Sequence, residues 1–380
     1  MTDETPQSSS KPDASTVGEE RPVQKIVLPG QSPEGEHILG TLIKRTYDIV
    51  PGGRCTRAEN DKKLISGDVF YADPMNSTVK FESDFVPYKI ATDVVLIGKA
   101  YAPGGQPVPM LTVSLKIGET RKELAIMGDR LAGFIAKRSA PVFTDPQPFV
   151  EMDLRYERAY GGVDIFSDPK VACIYPRNHL GRGFAVRNTK RSVDKLPLPN
   201  IEDPQNLLTP EGLCPGHFKY WERQPIPQGL GWFLKSWKPR AGFAGIMPAD
   251  RPAEQEAREI YAQMVPSSQK AMFDQTQIPD MDFRFFNGAS DGLALPFLTG
   301  HESVQLTHLD PQGELVFQLP GEKPKMGLDI GEGIQDLDVV LHTIQIRLED
   351  KQVDLVWRGA TPYPGPEWLT QMKKMDVHVG

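Results

Sequence analysis

At 380 residues the chain is long enough to bury a full apolar core, so its stability requires neither disulfides nor a structural metal. Its three cysteines, Cys55, Cys173 and Cys214, lack the C-x-x-C spacing of a zinc or redox site, and their odd number cannot close a disulfide set. With 43 Lys+Arg against 50 Asp+Glu the net charge is −7, which provides no general attraction to the phosphates of nucleic acid.

Residues 1–22, MTDETPQSSSKPDASTVGEERP, hold one large apolar residue after Met1, namely Val17. They cannot bury enough surface to offset their ordering entropy and read as a disordered tail. The tail has neither the basic nor the apolar region of an export signal, and no later stretch is apolar enough to span a membrane, so a cytoplasmic chain without membrane contact is expected.

Thirty-five prolines and 34 glycines, spread along the chain, cut it into short segments bounded by turns, a texture that suits strands. Period-two alternation places Ile43, Arg45, Tyr47 and Ile49 on one face of a first strand, and Val113, Leu115 and Ile117 on one face of another, with Ser114 and Lys116 opposite. Residues 163–250 are dense in Pro, Gly, Asn and aromatics with little periodicity, and read as a long, irregular, ordered surface region. The sequence PAEQEAREIYAQM, residues 252–264, carries the clear helix signal. Further on, Leu315, Phe317 and Leu319 alternate with Val316 and Gln318, and Ile344, Ile346 and Leu348 with Gln345 and Arg347. The stretch RLEDKQVDLVW reads as a hairpin turning at Glu349 to Gln352, and a short helix is expected within Pro366 to Met375. No fixed-period repeat or heptad run is present. The expected architecture is mainly β: one large two-sheet, sandwich-like domain over 23–360 with long irregular insertions and one or two short helices. A sub-boundary is allowed near 240–280, and residues 361–380 are expected to form a C-terminal extension.

Three clusters could carry chemistry. In LRYERAYGGVD, residues 154–164, and just before it, the carboxylates Asp153, Glu157 and Asp164 could supply an acid/base pair of the kind a hydrolase or carbohydrate-active enzyme needs. Strand spacing of RYER instead places Arg155 and Glu157 on one face, with Tyr156 and Arg158 on the other. Gly181-Arg182-Gly183 lacks the context of a dinucleotide loop, and a turn in which Arg182 pairs with Glu202 or Asp203 is the plainer account. Residues 215–240 concentrate Trp221, Trp232 and Trp237 among arginines and lysines, a mix that suits core first, a protein interface second and single-stranded nucleic acid a distant third. The seven histidines are dispersed without metal-binding spacing, and each is expected to be hydrogen-bonded or solvent-facing. No nucleophile elbow or cysteine-protease pattern occurs.

The order of motifs is more specific than any one of them. The blocks at 66–105 (SGDVFYADPMN onward), MGDR (127–130), LRYERAYGG (154–162), HLGRGF (179–184), LPNIEDP (198–204) and DFRFFNGAS (282–290) resemble the bacterial family designated domain of unknown function 2169, from roughly residue 38 to 358. The resemblance implies an association with type VI secretion, in which some members act as adaptors or chaperones that load a toxic effector onto the secretion spike. Some relatives carry a pentapeptide-repeat region; this chain does not. The function expected is thus a non-enzymatic, cytoplasmic adaptor for a secreted effector, and for the spike itself, with no cofactor, metal or catalytic residue. A carboxylate-dependent hydrolase and a structural component or cargo of the apparatus are the alternatives. The candidate binding residues are Arg155, Glu157, Arg158, Arg182, Asp203, Trp221, Trp232, Trp237, Arg284 and Asn287, with internal ion pairing as the competing role for the charged ones.

Overall fold

Strand β1 (Gln24–Gln31) pairs antiparallel with β2 (His37–Asp48) in a computed structural model that describes residues 24–86, 88–134, 141–168, 170–244, 282–329, 333–371 and 376–379. The tail at 1–22 and the helix expected at 252–264 lie outside the described residues, as does most of the sub-boundary near 240–280.

The protein is mainly β, with a few short helices. Its remaining principal strands are β3 (Thr92–Ile97), β4 (Met110–Ile117), β5 (Thr120–Met127), β6 (Ile201–Glu202), β7 (Ser303–Thr307), β8 (Glu314–Gln318), β9 (Met326–Asp329), β10 (Ile334–Arg347), β11 (Gln352–Pro362) and β12 (Asp376–Val379). A nine-stranded sheet runs β1-β2-β11-β10-β9-β12, with β3 parallel to the second half of β10, where Thr343 pairs with Asp93. Lys25 Nζ on β1 donates to the Val377 carbonyl on β12, so this sheet curls into a half-barrel. The C-terminal residues, expected as an extension, thus add a strand to the main sheet through β9. The second sheet has five antiparallel strands in the order β6-β5-β4-β7-β8. The outer edge of β8 is covered by the loop at 52–55: Gly52 N donates to Val316 O at 2.7 Å and Cys55 N to Gln318 O at 2.8 Å.

The alternation read from the sequence turns one face of each sheet onto a shared core. Ile43, Tyr47, Ile344, Ile346, Leu355 and Trp357 of the larger sheet join Val113, Leu115, Ile117, Val304, Leu306 and Phe317 of the smaller one. Each of these side chains contributes about 1.5–3 kcal/mol through its burial. The hairpin between β10 and β11 closes by a bond from Lys351 N to Leu348 O, one residue earlier than the spacing suggests. Region 163–250 departs from expectation as far as it is described. It is no surface excursion: its Tyr175, Phe184, Val186, Leu198 and Trp221 join Tyr160 in a second apolar cluster, with several rings meeting edge to face. Proline and glycine conceal this cluster from any periodicity test, because its residues come from loops, two-residue strands and helices of four to six residues.

The other face of the larger sheet is polar, yet buried. Asp354 accepts from Thr46 Oγ1 (2.7 Å), from Arg347 Nε (2.7 Å) and from Arg347 Nη2 (3.0 Å), while Lys44 pairs with Asp84 at 2.9 Å. Trp232 Nε1 donates to Gln345 Oε1 at 3.1 Å. On β3, Asp93 is fully buried and takes Lys89 Nζ (2.6 Å), Asn287 Nδ2 (3.0 Å), Gly288 N (3.0 Å) and Ala289 N (3.2 Å). Lys89 also donates to Thr343 Oγ1 and lies over the Trp232 ring. Replacing Asp93 by Ala removes the acceptor of a buried ammonium and three N–H groups, and is expected to cost about 3–5 kcal/mol of stability, measured by urea unfolding.

Candidate functional site

Where strand spacing was expected for RYER, residues Tyr156–Arg158 form a single 3₁₀ turn, closed by a bond from Arg158 N to Arg155 O at 3.0 Å. The turn sends its side chains three ways. Tyr156 is buried, and its hydroxyl shares a 2.5 Å hydrogen bond with Ser290 Oγ, which in turn donates to Gly229 O. Glu157 accepts from Thr78 N at 2.7 Å and from Thr78 Oγ1, and its carbonyl accepts from Arg182 Nε at 3.1 Å. Arg158 and Arg182 both donate to Asn200 Oδ1, at 3.2 and 3.1 Å, and lie 3.7 and 3.6 Å from Asp129. Arg155 stacks its guanidinium 4.1 Å from the centre of the Tyr71 ring and stands 3.6 Å from Asp153.

Arg182 therefore does not pair with Glu202 or Asp203. Strand β6 sets Glu202 opposite Ala125 of β5, which brings its carboxylate to Arg130 of MGDR, while Leu208 N donates to it at 2.6 Å. Asp203 turns back on its own loop and accepts from Gln205 N at 2.9 Å. The carboxylates of the alternative, hydrolase reading fare similarly. Asp164 is buried and bonded to Ser167 and to the amides of Phe166 and Val186. Asp153, Glu157 and Asp164 each serve separate local partners.

The six motif blocks are thus sewn to one another: 127–130 to 198–204, 154–162 to 179–184 and to Thr78, and 282–290 to Tyr156 and Asp93. Asn200 is the centre of one such seam; it is fully buried and also donates to Met127 O at 2.9 Å. Asn200→Ala is expected to lower stability by about 1–3 kcal/mol in chemical unfolding, because its loss leaves Met127 O and two guanidinium groups short of partners.

Trp221, Trp232 and Trp237 are buried at 3, 4 and 1 % exposure, so the aromatic segment is core before it is anything else. Trp237 Nε1 donates to His179 Nδ1 at 2.9 Å, and burial pushes His179 down to about 4. His342 departs from the expected pattern. Both of its ring nitrogens are buried and find no hydrogen-bond partner among the described residues, and burial beside Arg358 and Lys89 holds it neutral. The unfolded chain binds protons on histidine near pH 6.5, whereas the folded chain keeps His179 neutral down to about 4. Stability is therefore expected to fall as pH drops through that window, and His179→Asn to show a shallower fall in urea titrations.

Between residues 221–243 and 284–294 lies an open cleft of about 660 Å³. Trp221, Ile226, Phe233 and Phe243 give it apolar walls, and Arg177, Glu222, Arg284 and Asp291 are among its polar lining. Of the expected residues, the cleft brings together Trp221, Arg284 and Asn287; Arg155, Glu157, Arg158 and Arg182 belong to the polar frame instead. Arg284 pairs with Asp282 and stacks 4.2 Å from the Phe243 ring centre. Arg240, lining the cleft from below, is 4 % exposed and locked to Glu82, to Phe233 O and to Phe285 O. Gly288 packs directly against the Arg240–Glu82 pair, whose charged ends would have to shift to admit a Cβ. A small polar pocket of about 110 Å³, lined by Asp203, adjoins the cleft through Ile226 and Asp291. Arg177 and Ile226 were missed from sequence: the first sits two residues ahead of HLGRGF, and the second lies between two prolines in QPIPQ.

Among the described residues no group of three His, Cys, Asp or Glu could hold a metal ion, and no helix is long and apolar enough to cross a membrane. Fold and cleft define a mainly β protein with a preformed recess suited to binding. The chain belongs to the family described as uncharacterized protein conserved in bacteria, domain of unknown function 2169, whose model matches residues 34–358. Comparison with curated proteins and with solved structures gives no match.

Proposed function

We propose that the protein is a non-enzymatic cytoplasmic adaptor or chaperone that binds a type VI secretion effector and readies it for loading onto the spike. The observation that supports this reading is the cleft. It is walled in part by Trp221 of the aromatic segment, for which the sequence suggested core first and a protein interface second, and it is lined by the buried Arg240 that pairs with Glu82. The resemblance of the motif blocks supplies the association with secretion. A hydrolase reading gains nothing from the geometry, since Asp153, Glu157 and Asp164 are each engaged by separate neighbours. An adaptor stabilises its partner by binding the loading-competent state and then stays behind.

Affinity purification of the tagged protein from its native bacterium, with mass spectrometry of what accompanies it and assay of the culture medium, tests this. The expected result is a secreted toxin recovered in stoichiometric amount while the tagged protein stays inside the cells. A protein that purifies alone, or that is itself exported, overturns the reading.

A further inference from the structure

We infer that the cleft receives a short apolar peptide segment bearing a single carboxylate, and that Arg177 binds that carboxylate; the source of the segment, a protein partner, rests on the adaptor reading. The case begins with how the arginines around the cleft are engaged. Arg240 belongs to Glu82, and Arg284 to Asp282. Arg177 is different, because its bonds go to neutral oxygens only. Its Nη1 donates to Glu222 O at 3.1 Å, Gln224 O at 3.2 Å and Tyr175 Oη at 3.3 Å, and its guanidinium lies 5.0 Å from the centre of the Trp221 ring. One nitrogen and one face thus anchor the group, while Nε and Nη2 make no bond to the described residues. An anchored guanidinium loses little rotamer freedom on binding, and its remaining N–H edge matches the two oxygens of a carboxylate.

The walls decide what accompanies that carboxylate. Trp221, Ile226, Phe233 and Phe243 offer apolar surface, and Ile226 is 47 % exposed. A charge held beside such surface is screened less than one in open water, which strengthens its attraction to Arg177. The volume suits a few side chains of an extended segment rather than the face of a whole domain. Glu222 and Asp291 on the lining disfavour a second acid and a doubly charged phosphate. The fitting ligand therefore carries one Asp, Glu or terminal carboxylate between aliphatic or aromatic residues.

The test selects binders for the purified full chain from a random-peptide phage library, then measures synthetic versions of the selected peptide by fluorescence anisotropy. Selected peptides are expected to share one acid flanked by apolar residues. Amidating that acid, or making Arg177→Gln, should weaken binding by roughly tenfold to a hundredfold, and combining the two changes should add little. A peptide with its terminus amidated but its side-chain acid kept distinguishes the two sources of carboxylate. Ile226→Asp, at an exposed position that leaves the core intact, should abolish binding while thermal unfolding matches the wild type, which guards against a misfolded Arg177 variant. Selection that yields no consensus, a consensus without an acid, or binding indifferent to both Arg177→Gln and Ile226→Asp overturns the assignment. The adaptor reading fails separately: a partner that still co-purifies with both variants refutes the cleft alone, whereas selected peptides without any cellular partner refute the adaptor alone.

Discussion

Asp93 is the constraint on which the arrangement of this protein turns. A fully buried carboxylate is tolerable only if charge and hydrogen bonds compensate for its lost hydration, and Asp93 has both: one ammonium and three N–H groups from Asn287, Gly288 and Ala289. Because β3 is fixed in the sheet by its parallel register with β10, these bonds fix residues 287–289 as well. Those residues lead into Ser290, which reaches Tyr156, and Gly288 packs against the Arg240–Glu82 pair. One charged residue on a strand of the larger sheet thereby sets one wall of the cleft relative to that sheet, and the opposite wall follows through Arg240.

The same logic governs the residues that first looked functional. Charged and polar groups in the motif blocks make bonds across turns that have no ladder of their own, so they do for the irregular region what strand pairing does elsewhere. Arg158, Arg182 and Asn200 join three such turns, and Glu157 joins a fourth by holding both the amide and the hydroxyl of Thr78. A conspicuous charge in a loop is therefore here a sign of how the loop is held. The residues left facing the cleft, Ile226 and Arg177, are less conspicuous in the sequence because neither sits in a distinctive pattern.

Much of the sheet architecture could be read from alternation alone: Val113, Leu115 and Ile117 all turn to the core, and so do Ile344 and Ile346. What alternation concealed is that the opposite face is buried too, since a strand carrying Lys44 and Thr46 reads as solvent-facing unless Asp84 and Asp354 are known to meet it. The error at RYER has a local cause. Four residues are too few to separate period two from a 3₁₀ turn, and the deciding partner of Glu157 lies 79 residues away. Arg182 was assigned to the acids nearest in the motif order, but the register of β6 on β5 delivered Glu202 to Arg130. The cleft was legible only as an excess of aromatics, because its shape comes from segments that meet through Asp93 and Arg240.

The pairing of β2 with β11 has a bearing on how the chain is made. Asp48 lies beside Gln352, 304 residues later, and β2 is flanked on that side by no earlier strand. During synthesis β2 can pair early with β1 and with the short strand Thr56–Arg57, but its edge toward β11 stays unsatisfied until β11 leaves the ribosome. The sheet that carries Asp93 is thus completed late, by contacts of long sequence separation whose closure is intrinsically slow. The nascent protein spends most of its translation with an open strand edge, a state in which it would itself be a client for the kind of protection it is proposed to give.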